Sequence, residues 1–347
     1  MATKYVLGKP IKEESYMKFA LIVCTYMRPR PLLELLNSVK AQTLYPKEIL
    51  IIDGSINDVT KNIFSENMFV NLTYHKVEDK DRGLTKQRNY GVGLIDSSID
   101  VICFLDDDTI LEEGYFEHLM QTYEIQPKAL GVGGYITNEV QWELTDHSHN
   151  SKKFYYDGWM RDEPLRFRVR RFFGLHPDTS PCFLPTFSHG RSVSFLPPSV
   201  KTYQVEQFMG GVASYKRSVF ETLKFSSYFE GYGLYEDTDF CLRLAKLGTL
   251  YVNTNAQLEH HHEVSGRPNR YTYGKMVLRN GWYIWRVKYP KPTFKARLKW
   301  HLTAILLLKL TFLGVFTSKQ KKAAFTEGFG RFVGWWSVLF HPPKVDL

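Results

Sequence analysis

Two apolar runs, Phe19-Ala20-Leu21-Ile22-Val23-Cys24-Thr25-Tyr26 and Glu48-Ile49-Leu50-Ile51-Ile52-Asp53-Gly54-Ser55, are separated by a single helix's worth of chain. From Leu32 to Ala41 the residues Leu32, Leu33, Leu35, Leu36 and Val39 recur at helical spacing, and Arg28-Pro29-Arg30-Pro31 ends the first run. Strand, helix, strand at this spacing is a βαβ unit with its two strands parallel. In such sheets ligands gather at the carboxyl ends of the strands. Thr25 and Asp53 fall at those ends, Asp53-Gly54 also having the composition of a plain tight turn.

A third run, Val101-Ile102-Cys103-Phe104-Leu105, reads as a strand buried on both faces and ends in Asp106-Asp107-Asp108. Three adjacent carboxylates repel one another, which either a bound cation or a solvated turn relieves. Oxygen ligands of this kind suit Mg²⁺ or Mn²⁺ bridging the phosphates of a nucleotide. Between the second and third runs, Gly83 permits close backbone approach, and Lys86, Arg88 and Asn89 open a helix leading towards Asp100. Cations at a helix start suit a diphosphate, and they equally suit an exposed charged face.

Downstream, an amphipathic helix is expected over Glu112–Tyr123 and a glycine-rich strand over Ala129–Ile136. From 140 to 200 regular alternation fails, and proline, aromatic and basic residues crowd together, as an irregular insertion for substrate binding or a mobile segment does. A strand with paired glycines is expected over Gln207–Tyr215, a helix from Ser218 to Leu223, and another helix starting near Glu236 in Glu236-Asp237-Thr238-Asp239, where the helix dipole favours acids. A short strand over Leu250–Asn253 precedes His260, His261 and His262, of which one or two can ligate Mn²⁺.

Net charge is +9, concentrated in 152–171 and 275–322, so an anionic partner is favoured, while neither stretch resembles a nucleic-acid-binding motif. No nucleic acid is expected. The first eighteen residues carry no apolar run, and Cys24, Cys103, Cys182 and Cys241 show no metal or disulfide spacing. Both features predict a cytoplasmic chain with reduced thiols. Ala296–Phe316 is apolar but carries Lys309 in its middle and is flanked by basic residues, with Trp335-Trp336 later. It reads either as a helix lying in the plane of an anionic leaflet or as a core helix docked on the rest of the chain.

These ordered elements resemble family 2 of the glycosyltransferases, over about Phe19 to Asn280. They are Val23-Cys24-Thr25-Tyr26 with Arg28-Pro29, Ile51-Ile52-Asp53-Gly54-Ser55 with Asp58, Gly83-Leu84 with Arg88-Asn89 and Gly91, the aspartate triplet, Gly210-Gly211, Glu236-Asp237-x-Asp239, His260 and Arg279-Asn280. The resemblance implies an α/β GT-A fold with a Rossmann-like, mostly parallel central sheet and a nucleotide-diphospho-sugar donor. The implied organisation is an extension over 1–18, a catalytic domain over 19–290 containing the 140–200 insertion, and a helical, membrane-associating segment over 291–347. Donor-binding positions are implied at Thr25, Arg28, Asp53, Gly83, Arg88, Asp106 and Asp107. Thr25 and Asp53 would hold base and ribose, and Arg88 the diphosphate. Metal ligands are implied at Asp106, Asp108 and His260, with His262 as substitute for His260. Asp237 matches the general base and Glu236 the acceptor-site carboxylate. One base without a second nucleophile implies a single displacement with inversion. The absence of a Q-x-x-R-W motif implies one sugar per encounter. The acceptor would be a glycan or a lipid-linked hydroxyl, and the location peripheral, on the cytoplasmic face of the inner or plasma membrane. Competing readings are a sugar-nucleotide nucleotidyltransferase, for which Thr25-Tyr26-Met27-Arg28-Pro29 lacks the glycine-rich loop, and a non-catalytic membrane adaptor.

Overall fold

The computed structural model describes residues 17–145, 150–229, 231–262 and 268–345, with the backbone of 5–6 and 9–10. The expected extension over 1–18 lies almost wholly outside the described residues, apart from a small antiparallel hairpin of β1 (Tyr5–Val6) and β2 (Lys9–Pro10).

The chain continues through β3 (Phe19–Thr25), α1 (Pro29–Lys40), β4 (Glu48–Asp53), α2 (Val59–Glu66), β5 (Leu72–Lys76), α3 (Leu84–Val92) and β6 (Val101–Asp106). β3 pairs in parallel with β4 and β6, and β4 with β5, as the run spacing predicts. Leu21 and Ile22 point to opposite faces and are both fully buried, which is why these runs carry no polar alternation. α1 starts three residues before Leu32, because the prolines at its head have no N–H to lose in a first helical turn.

Next come β7 (Thr109–Leu111), α4 (Tyr115–Ile125) and β8 (Ala129–Ile136). The 140–200 stretch is more regular than expected. β9 (Glu143–Leu144), β10 (Lys153–Tyr156) and β11 (Trp159–Asp162) form a small sheet, followed by α5 (Leu165–Phe172). β10 and β11 turn on Asp157-Gly158, both at positive φ.

β12 (Thr202–Val205) and β13 (Val212–Lys216) follow; β13 starts later than the glycine pair suggested, because Gly210 and Gly211 lie outside the ladder. The expected Ser218–Leu223 helix is a short 3₁₀ turn over Arg217–Glu221. α6 (Glu236–Leu244) precedes β14 (Thr249–His260), a twelve-residue strand where only Leu250–Asn253 was expected. Its apolar pattern is broken by Asn253, whose amide instead bonds His118 O at 3.0 Å and Thr122 Oγ1 at 2.9 Å on α4.

The central sheet has nine strands in the order β12-β14-β8-β13-β6-β3-β4-β5, with β7 on β14. β13 runs antiparallel to both β6 and β8, so β8 and its parallel partner β14 share the direction of β3 to β6. The sheet is therefore mostly parallel, and the carboxyl ends of β3, β4, β6, β8 and β14 share one rim.

α7 (Arg270–Lys288), α8 (Phe294–Thr317) and α9 (Lys321–Phe340) complete the chain. Trp282, Trp285, Trp300 and Val338 join Leu242 of α6 in one apolar cluster, so the amino-terminal half of α8 is docked. Beyond Leu308 the helix is open: Leu313 is 61% and Phe316 81% exposed. α8 is long and apolar enough to cross a membrane by length and composition, and 17% of its most apolar window is buried.

Candidate active site

The shared rim opens into a cavity of about 860 Å³. Thr25, Arg28, Gly83, Arg88, all three aspartates, Glu236, Asp237 and His260 line it. Asp53 does not. It is fully buried, its Oδ1 accepting the Ser55 N–H and its Oδ2 the Tyr74 hydroxyl, each at 2.7 Å. Its carboxylate shapes the turn after β4, and the residue stands outside the cavity lining.

Asp106, Asp107 and Asp108 diverge as β6 ends. Asp107 turns inward, accepting the Thr25 hydroxyl at 2.6 Å and Arg28 Nη1 at 2.9 Å. Burial pushes its pKa up to about 7 against the opposing pull of Arg28. Arg28 also lies 3.5 Å from Asp108, so one guanidinium relieves much of the repulsion in the triplet.

Asp106 and Asp108 face His260. β7 begins immediately after Asp108 and pairs antiparallel with β14 in the register His260↔Thr109, and the His261 N–H bonds Asp108 O at 2.9 Å. The pairing brings His260 Nε2 to 3.1 Å from Asp108 Oδ1. One ligand atom each from Asp106, Asp108 and His260 lies within 4.8 Å of the others. Two carboxylate oxygens and one imidazole nitrogen are a donor set suited to Mn²⁺ or Mg²⁺. Burial pushes the His260 pKa down, but the carboxylates of Asp108 and Glu139 more than reverse this, to about 10. A cation would take the place of that proton.

Glu139, absent from the sequence expectations, stands 3.6 Å from His260 Nδ1 and 2.9 Å from His262 Nε2. It follows β8 by three residues and so reaches the same rim. The rule that singled out Asp53 and Asp106 reaches it once the direction of β8 is known.

Opposite the aspartates, Tyr235 sits at φ 72° and starts α6, presenting Glu236 and Asp237 to the cavity. Asp237 Oδ2 accepts the Gly210 N–H at 3.1 Å and Oδ1 the Thr238 N–H at 2.6 Å. Burial raises its pKa despite these bonds. Burial, followed by the charge of Asp237, pushes Glu236 up to about 8. Arg88, fixed on α3, lies 2.5 Å from Glu236 and 3.6 Å from Asp106, linking the two sides of the site from beneath. A Cβ on Gly210 would stand 2.7 Å from Arg88 Nη1 and 2.8 Å from Glu236 Oε1, so the glycine is required by close approach. Gly83 holds φ 120° at the head of α3.

Residues 20–187 match the family model for glycosyl transferase family 2. That region of the chain belongs to glycosyl transferase family 2. Similar proteins include a glucosyl-dolichyl phosphate glucuronosyltransferase of Haloferax volcanii, 30% identical over 143 residues, covering 40% of this chain and 44% of the relative. Another is the O-antigen chain rhamnosyltransferase RfbN of Salmonella typhimurium, 33% identical over 98 residues, covering 28% of this chain and 30% of the relative. The crystal structure of GalNAc-T7 with UDP, GalNAc and Mn²⁺ matches with a TM-score of 0.50 at 14% identity, over 76% of this chain and 48% of that one. The fold of this chain is thus GT-A-like. The matched stretches span less than half the length of each of these relatives.

Proposed function

We propose that this chain is an inverting, divalent-metal-dependent glycosyltransferase that moves one sugar from a nucleotide-diphospho-sugar to a hydroxyl of a glycan or lipid-linked acceptor, working peripherally at the cytoplasmic face of a membrane. The observation that carries the reading is the convergence of Asp106, Asp108 and His260 with Asp237 in one cavity, from segments far apart in sequence. Asp106, Asp108 and His260 would hold the ion, which when bound neutralises the leaving diphosphate. Asp237, fixed by two backbone N–H groups and raised in pKa, accepts the acceptor hydroxyl's proton as the oxygen attacks the anomeric carbon. Buried Arg88 holds Glu236 beside that base. Among the described residues the carboxylate beside Asp237, Glu236, is paired with Arg88, which supports a single displacement. The Haloferax relative's name, with its dolichyl phosphate substrate, supports a lipid-linked acceptor. The exposed end of α8 beside Lys309, Lys319, Lys321 and Lys322 supports an anionic leaflet as the surface.

The test is hydrolysis and transfer across a panel of UDP-, GDP- and dTDP-sugars with Mn²⁺, comparing the native chain with Asp237→Asn. One donor turned over by the native chain and not by the variant is the expected result. Turnover only with a nucleoside triphosphate plus sugar phosphate would instead mark a nucleotidyltransferase. No turnover of any donor would mark an adaptor.

A further inference from the structure

A second cavity, of about 540 Å³, lies between α5, α7, α8 and α9. It shares two walls with the catalytic cavity, Tyr235 and Tyr273, and Tyr235 immediately precedes Glu236. One side is apolar, built from Trp300, Ala304, Leu307 and Leu308 of α8 together with Val277 and Leu278 of α7. The other side is cationic, with Arg166 and Arg331 at its surface. Arg331 is paired with Glu327 at 2.8 Å, whereas Arg166 has no carboxylate partner among the described residues. Arg170 stands behind them, fully buried, and its Nη2 lacks a hydrogen-bond partner. Arg170 donates Nε to Leu175 O and Nη1 to His189 O, while exposed Arg166 offers its guanidinium at the mouth of this partly apolar cavity, where an anion can join it.

We infer that this cavity seats the acceptor as an amphiphile with a phosphate head and one long apolar chain, the head at Arg166 and Arg331 and the chain running along α8. The assignment rests on the acceptor being lipid-linked, as proposed above. Three features favour it over an ordinary membrane lipid contact. The two cavities share Tyr235 and Tyr273, so the head lies across that tyrosine wall from the cavity that Asp237 lines. The apolar wall belongs to the docked half of α8, continuous with the half that is open beyond Leu308. Guanidinium groups also suit a phosphate better than a neutral head.

Farnesyl phosphate, farnesol and dioleoylphosphatidylglycerol serve as probes, with binding followed by calorimetry in detergent alongside UDP and GDP in the presence of Mn²⁺. Farnesyl phosphate should bind, and farnesol should bind about tenfold more weakly or worse, the loss expected on removing one charge-assisted contact. Arg166→Gln should weaken farnesyl phosphate by about the same factor, and Ala304→Phe should do so by filling the apolar side. Nucleotide affinity should stay within about twofold in both variants, which separates a lost site from a lost fold. Equal binding of farnesyl phosphate and farnesol, equal binding by Arg166→Gln, or displacement by dioleoylphosphatidylglycerol at matching concentration would each overturn the assignment. Failure of the native chain to bind any nucleotide would count against the donor reading instead, leaving the amphiphile result to be judged by its own arms.

Discussion

Arg88 and Glu236 stand 148 positions apart in the chain and meet at 2.5 Å in the interior. Their side chains are 3% and 7% exposed, and Asp106 lies 3.6 Å from the same guanidinium. Replacing one partner leaves a buried charge without compensation, a loss of about 3–5 kcal/mol. Arg88→Leu should therefore lower stability by about that much in urea titration, while Arg88→Leu combined with Glu236→Leu should recover a large part of it. Equal destabilisation in single and double variants would show that the pair is not the unit that matters.

Asp237→Asn keeps the shape of α6 and removes the proposed base. Transfer should fall by about 10²–10⁴-fold while nucleotide affinity is preserved, measured by initial rates and calorimetry. Because burial raises the Asp237 pKa and a base works deprotonated, the native rate should be lost as pH falls through a value above the usual carboxylate range. A profile flat down to the ordinary range would assign the base elsewhere.

Glu139 contacts both His260 and His262 without belonging to the Asp106, Asp108 and His260 set. Partners that orient a ligating imidazole are worth about 10–100-fold in affinity. Glu139→Gln should weaken Mn²⁺ binding by that range, and EDTA should abolish transfer. Full activity in excess EDTA would remove the ion from the scheme.

His189 has its pKa held well below the ordinary 6.5, first by burial and then by Arg170, Arg166 and Arg331. The unfolded chain takes up a proton near 6.5 that the folded chain refuses. This contribution to stability is complete above 6.5 and is lost progressively as pH falls below it. Denaturant midpoints measured from pH 7.5 to 5.5 should decline on the acid side, and His189→Gln should flatten that decline.

Leu313 and Phe316 project from the open half of α8. Burying a side chain of this size contributes about 1.5–3 kcal/mol, so Leu313→Ser and Phe316→Ser should each weaken sedimentation with anionic vesicles by about tenfold or more. Added salt should weaken the native chain as well. Unchanged sedimentation would place the contact elsewhere.

The parallel half of the sheet is legible in the sequence because strands buried on both faces leave unbroken apolar runs. The meeting of Asp106, Asp108 and His260 follows from the strand-end rule together with the family pattern. What escapes is held by partners no local pattern reveals. Asp53 resembles a cavity residue until Tyr74, on the next strand, is seen to occupy its second oxygen. β14 hides most of its length because Asn253 satisfies its amide on α4, so a polar residue sits where alternation would demand an apolar one. The β10–β11 hairpin was visible in principle: Asp157-Gly158 between aromatic-rich segments is a turn signature.

β7 is three residues long, yet its register on β14 is what sets the late histidine against the early aspartates. β8 and β13 lie between β14 and β6 in the sheet, so the candidate ion-binding trio draws its members from two separated strands, and cation affinity, if the trio binds one, would gauge sheet completion. A variant that frays the β7 zipper should surrender the ion while its helices are still intact, and manganese titration would register that partial opening before circular dichroism does.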